Sequence, residues 1–216
     1  MSDEPIHLIY PDPQLASRRR AAVAIRELSE ALVGHEVPDN LLAEIAIWAS
    51  EHAGRAREGA VVERGADYQA RRYTDPKPPD NTELCTFTDR PISGLANPSA
   101  INMSLRREGD ESVGTIIFDR RFESSPGRVH GGMTAATFDD VMGYVNVIDG
   151  VAAYTLELDV KYIAGMPLHE PVVIRARTVS RDHRRSTVTA EAHSADGTLV
   201  ASGSAIFALI PPERFA

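Results

Sequence analysis

The sequence predicts an α+β fold, an antiparallel sheet packed on one long buried helix, with a helical region in front of it. Three observations carry this expectation. Apolar residues in the first third recur at steps of three and four, the spacing of one helix face. The second half is made of short strand-like runs separated by turn residues. Between them lies a proline-free segment, 131–147, with Ala, Met, Val and Phe on every face, as expected of a helix buried all round. Two strands, one helix and then a further run of strands suit a sheet covered by that helix.

Taken in order, Ala22, Ile25, Leu28 and Leu32 mark one amphipathic helix, and Leu41, Leu42, Ile45, Trp48 and His52 mark a second. Pro38-Asp39-Asn40 supplies the break between them and a cap for the second. The stretch 71–82, RRYTDPKPPDNT, has the composition of a linker or loop. Residues 1–85 are therefore expected to form a helical extension with its linker, and 86–216 the main domain. Residues 101–105 and 113–118, joined through Gly109-Asp110, suggest a hairpin. After the central helix come strands at 153–163, 172–179 and 186–194, and a final one at 198–210 beyond an Asp196-Gly197 turn. In the first of these, Leu156, Leu158 and Val160 alternate with Thr155, Glu157, Asp159 and Lys161, which predicts one face against the core and one wet or functional face.

Composition narrows the function classes. A net charge of -8 argues against nucleic acid as a partner, because such binding depends on neutralising phosphates. Arg120-Arg121, Arg128, Arg181 and Arg184-Arg185 are candidates for a local basic rim, with solvated surface charge the simpler reading for each. No apolar run approaches the roughly 18 residues of a membrane span, so membrane insertion is not expected. The acidic, proline-containing opening, 1–13, does not read as a signal peptide, and a cytoplasmic protein is expected. A lone cysteine, Cys85, has no partner for a disulfide or a zinc motif and reads as a bland thiol. The seven histidines are dispersed without close metal-ligand spacing, and no Gly-x-Ser-x-Gly elbow occurs, so neither a metal nor a serine nucleophile is expected.

The chemistry is expected between Ser125 and Asp140. Ser125-Pro126-Gly127-Arg128-Val129-His130-Gly131-Gly132-Met133 brings a turn, a histidine and two glycines onto the start of the central helix. The first amides of a helix lack internal partners and can donate to a polarised carbonyl oxygen. Within this apolar helix sit Asp139 and Asp140, and an unpaired buried aspartate is expensive. One of them, Asp139, is expected to face a polar cavity as general base or nucleophile, and Asp140 to cap or form a surface salt bridge. Eight residues separate Gly131 from Asp139, about 12 Å along a helix. If both act on one substrate atom, one of them must come from a second subunit of a two-fold dimer.

The pattern Pro126-Gly127-x-Val129-His130-Gly131-Gly132, then Ala135-Ala136 and Asp139, resembles the signature of PaaI-type thioesterases of the hotdog superfamily. Thr155 to Tyr162 (TLELDVKY), Asp196 to Ala201 and Phe207 extend the likeness, which covers roughly residues 86–214 and is closest to members with a helical N-terminal extension. The resemblance implies a five- or six-stranded sheet wrapped around the helix, dimers joined edge to edge, and hydrolysis of acyl-CoA thioesters at the dimer interface without a cofactor. It assigns Asp139 as nucleophile or general base, the Gly131 amide as the group that polarises the thioester carbonyl, Thr155 as a water-orienting hydroxyl and His130 as a contact to the thioester. Gly132, Ser124, Val129 and Met133 are the implied substrate-binding residues, Ser124 standing where some relatives carry asparagine or glutamine. Met133, Phe138, Met142 and Tyr144 are candidates to shape the acyl pocket. The assembly implied is a homodimer or a dimer of dimers. Weighed against hydrolysis are a hotdog hydratase or dehydratase, and a non-catalytic acyl-CoA sensor, for which a buried Asp139 has little use.

Overall fold

The structure is a computed structural model that describes residues 6–63 and 67–215. The first five residues of the acidic opening segment, 64–66 and Ala216 lie outside the described residues.

Strand β1 (His7–Leu8) precedes helix α1 (Leu15–Gly34) and helix α2 (Asp39–Ala56), which form where the apolar spacing places them. Pro38, not Asp39 or Asn40, occupies the cap position of α2, and no side chain caps that end; Asp39 instead puts a negative charge in the first turn, where the helix dipole favours it. Only Ala22 of α1 is buried, and no residue of α2 is, so Leu41, Leu42 and Trp48 stand exposed on the single chain. The expected linker opens instead with one helical turn, α3 (Arg71–Thr74). It is fixed to the sheet: Asp80 accepts from the Gly109 amide, and Arg72 and Pro78 are buried. Strand β2 (Leu84–Cys85) then pairs in parallel with β1, tying the N-terminus to the start of the main domain.

Strands β3 (Asn102–Glu108) and β4 (Glu111–Ile117) make the expected hairpin, turning at Gly109, whose φ of 60° suits glycine. A 3-10 turn at Arg120–Phe122 leads into the small hairpin of β5 (Glu123–Ser125) and β6 (Arg128–Val129), and then helix α4 (Gly131–Ile148). Four long strands follow, β7 (Ala153–Tyr162), β8 (Pro171–Arg181), β9 (Arg185–Ser194) and β10 (Leu199–Leu209). The main sheet is six-stranded and antiparallel throughout, in the order β3-β4-β8-β9-β10-β7.

Helix α4 lies against one face of this sheet, with Phe138, Val141, Met142 and Val145 fully buried against Ile116, Val172, Ile174 and Val188. Close approach depends on two strand glycines. A Cβ on Gly114 would lie 2.6 Å from Val141, and one on Gly203 2.8 Å from Phe138. Phe138 and Met142 are thus core residues, which corrects the expectation that they shape a pocket.

The last strand in the order, β7, is an edge. Leu158 and Val160 pack against the core as expected, but Tyr154, Leu156 and Tyr162 stand exposed. The register with β10 also slips here: Glu157 pairs with Ile206, whereas Thr155 pairs with Phe207, leaving Leu156 as the extra residue of a β-bulge. Residues directly opposite share a face, and Phe207 is in the core, so Thr155 faces the helix. Strict alternation put Thr155 on the outer face with Glu157 and Asp159; the bulge turns it inward.

Candidate functional site

The start of α4 is built by His130. Its backbone carbonyl accepts from the Met133 and Thr134 amides, and its Nδ1 accepts from the Gly132 amide at 3.0 Å, which places the imidazole proton on Nε2. The His130 amide itself donates to the Phe122 carbonyl, so of the four amides that a helix start leaves over, those of His130, Gly132 and Met133 are occupied. Among the hydrogen bonds of the described residues none is donated by Gly131, whose N–H is left available at the positive end of the dipole. The Gly131 carbonyl accepts from the Tyr162 hydroxyl at 2.9 Å, which holds this peptide from the edge strand. In the hairpin before the helix, Gly127 turns with φ of 73° and Ser124 is exposed. Val129 is a core side chain and presents no open contact surface, whereas Met133 is only partly buried and packs against the core from its margin.

Eight residues along α4, Asp139 is half-buried and accepts at Oδ1 from the Thr155 hydroxyl at 2.8 Å. The bulge in β7 makes this contact. Beside it is a cavity of about 130 Å³, lined among others by Asp139, Thr155, Tyr144, Asn146 and four residues preceding the main sheet, Tyr68, Gln69, Arg72 and Arg90.

Asp140 points the other way. It is 3% exposed and bonded to Arg90, so its ion pair is buried and not at the surface as expected. Burial by itself would lower the Arg90 pKa, but the Asp140 carboxylate together with Tyr144 and Tyr68 more than offsets this and the guanidinium stays charged. Arg90 also lies over the Tyr144 ring, and the Tyr144 hydroxyl bonds both the amide and the side chain of Thr86. Next to them, burial pushes the Cys85 thiol up to about 12 and the Tyr144 phenol up to about 12. This fits the reading of Cys85 as an unreactive thiol.

Half of the candidate basic rim is consumed by pairing: Arg120 with Glu123, Arg121 with Asp119, and Arg181 with Asp149. No helix among the described residues is long and apolar enough to cross a membrane. Sequence reading missed Tyr162, Arg90, Arg72, Tyr68 and Asn146. Tyr162 closes a motif that was noticed for other reasons. Nothing local marks Arg90, which meets Asp140 across fifty residues of chain.

A family model described as the Thioesterase superfamily matches residues 126–201. This span holds the His130-Gly131-Gly132 turn, all of α4 and the Asp139–Thr155 pair. Among solved structures, a thioesterase superfamily protein is similar over 92% of this chain and 92% of its own, at 27% identity and TM-score 0.76. At that coverage the likeness reaches into the N-terminal helices. The smu.793 protein of Streptococcus mutans UA159, solved bound to acetyl CoA, is 20% identical over 50% of this chain and 89% of its own, with TM-score 0.48. The PaaI protein of E. coli, from a phenylacetic acid degradation operon, is 13% identical over 51% of this chain and 81% of its own, with TM-score 0.49. No curated protein matches. Residues 126–201 thus resemble the Thioesterase superfamily, and the six-stranded antiparallel sheet packed against one long helix gives the chain the hotdog fold.

Proposed function

We propose that this protein hydrolyses acyl-CoA thioesters to the free acid and coenzyme A, acting in the cytoplasm as a homodimer or dimer of dimers with its sites at the dimer interface. In this reading, residues 1–85 are an extension of the catalytic domain that 86–216 form. The observation that carries it is the division of polar groups along α4. A carboxylate held by Thr155 lies at one position, and an amide donor without a partner lies about 12 Å away at the helix start. One side chain does not span that distance. A two-fold partner, joined through the open β7 edge, brings its own Gly131 amide toward Asp139.

Asp139 then takes a proton from water as it attacks the thioester carbon, or attacks that carbon itself. Thr155 orients the carboxylate or the water. The partner subunit's Gly131 donates its N–H to the carbonyl oxygen as negative charge develops there. The tetrahedral species collapses by breaking the carbon–sulfur bond, and the thiol leaves with the proton that Asp139 took from water. In the nucleophilic route the thiolate leaves first, and water then hydrolyses the acyl–Asp139 anhydride to the free acid, its proton passing to the thiolate. His130 stands beside the thioester, and Gly132, Ser124 and Met133 border the entry.

Thiol release is measured for wild type and Asp139→Asn against short, long and aromatic acyl-CoAs, with a chelator present. Asp139→Asn, still folded and dimeric, is expected to lose about 10²- to 10⁴-fold in rate. Hydrolysis that survives the substitution overturns the site assignment, and binding without turnover by wild type replaces the enzyme with a sensor. Single turnover in ¹⁸O-labelled water separates the two roles of Asp139, since only a nucleophile acquires label in its own carboxylate.

A further inference from the structure

The cavity beside Asp139 is small, and much of its lining is polar. A cavity of about 130 Å³ approaches the roughly 150 Å³ that accommodates a benzene-sized group, which leaves room for about five or six non-hydrogen atoms. A pocket for a plain hydrocarbon chain would be lined by apolar side chains. This one has an apolar part, Val147, Val151, Ala153 and Phe207, but it is also faced by Tyr68, Gln69, Arg72, Arg90 and Asn146.

The two arginines differ. Arg90 is neutralised by Asp140. Arg72 is only 7% exposed, yet it joins none of the salt bridges among the described residues. Its contacts in the cavity wall are with Tyr68, whose hydroxyl accepts from Nη2 at 2.9 Å and whose ring lies 4.9 Å from the guanidinium carbon. Neither supplies a negative charge, and a buried cation without one is costly. Asn146 adds a second unmet group: it is 4% exposed, and its Oδ1 has no hydrogen-bond partner. Rotated by half a turn, the same amide presents its NH₂. A buried guanidinium without an anion and a buried amide without a partner, facing one small cavity, are together complementary to a carboxylate.

We propose that residues 68–72, with Asn146, form the blind end of the acyl pocket, and that the substrates are CoA half-thioesters of short dicarboxylic acids. The inference rests on the thioesterase reading above. The thioester carbonyl sits at the Asp139 mouth, and the distal carboxylate pairs with Arg72 in the bidentate geometry a guanidinium favours. The acyl chain between them separates the substrate's charge from that of Asp139. It also gives the N-terminal extension a function, since Tyr68 and Arg72 belong to it.

The test compares glutaryl-CoA with pentanoyl-CoA, which have the same number of acyl carbons and differ in the terminal carboxylate, and reads the ratio of their kcat/KM values. Wild type is expected to favour glutaryl-CoA by about tenfold or more. In Arg72→Gln that ratio should fall to about one, and Arg72→Lys, which keeps the charge, should retain part of it. Thermal melting of each variant shows whether it is folded. A wild-type enzyme that hydrolyses pentanoyl-CoA at least as well as glutaryl-CoA overturns this inference and leaves the thioesterase reading standing. A preference that survives Arg72→Gln overturns the role of Arg72. Absence of hydrolysis with every acyl-CoA tested sinks the thioesterase reading, and this inference with it.

Discussion

Asp139 and Asp140 are adjacent in sequence and meet opposite environments. Asp139 opens onto a cavity with one oxygen held by Thr155, whereas Asp140 is sealed against Arg90. Their consequences under mutation differ accordingly. Asp139→Asn should change rate and leave stability nearly intact. Asp140→Ala leaves the Arg90 guanidinium buried without its carboxylate and should cost about 3–5 kcal/mol in denaturant unfolding. Replacing both partners, as Arg90→Met with Asp140→Leu, should recover most of that loss, because no uncompensated charge remains. If the double variant is no more stable than Asp140→Ala, the pair is not the cause of the loss.

At the scale of elements, strand β7 determines the site. It holds Asp139 through Thr155 and the Gly131 peptide through Tyr162, and it does so only because the bulge at Leu156 breaks the two-residue period. Deleting Leu156 removes the extra residue but leaves Thr155 opposite Phe207 and facing α4, so that variant should keep its hydrolysis, whereas Thr155→Ala should lose rate while its circular dichroism remains that of the wild type. Wild-type activity in Thr155→Ala would show that the hydroxyl does not serve Asp139. The opposite face of β7 carries exposed Tyr154 and Leu156 beside an unpaired edge, and this is where a second chain would add.

For the whole molecule, a site shared between subunits can be tested by complementation. Gly131→Pro removes only the N–H at the first helical position, where proline is well tolerated. Mixed in equal amounts with Asp139→Asn, it should restore about a quarter of wild-type activity. Half of randomly paired dimers are mixed, and each of these has one intact site out of two. No recovery, with mixed dimers present, would place both groups of a site on one chain. Stability should also depend on alkaline pH. The folded Cys85 and Tyr144 hold their protons to about 12, above the ordinary 9.0 and 10.0, because burial disfavours their anions. Both raised values stabilise the fold fully below pH 9, and that stabilisation is lost as the unfolded groups ionise between pH 9 and 12. Urea midpoints measured from pH 7 to 11 should therefore decline above 9. Alkylation of Cys85 at pH 8 should require unfolding.

The sequence by itself determined the α+β order, the central helix, the hairpins at Gly109 and Gly197 and the turn into Gly131. Each rests on local physics: apolar periodicity, positive φ at glycine, and unpartnered amides at a helix start. It also singled out Asp139, because a carboxylate in an apolar helix stands out in one dimension. The inward turn of Thr155, the burial of the Asp140 pair and the polar cavity wall were decided by tertiary structure alone. A bulge depends on the register of two strands, and Arg90 and Asp140 meet across fifty residues of chain. Arg72 sits in a stretch with a linker's composition, and only packing against the main domain turns it into a buried, unpaired charge. Such properties belong to pairs of distant residues, and no window of neighbouring sequence contains them.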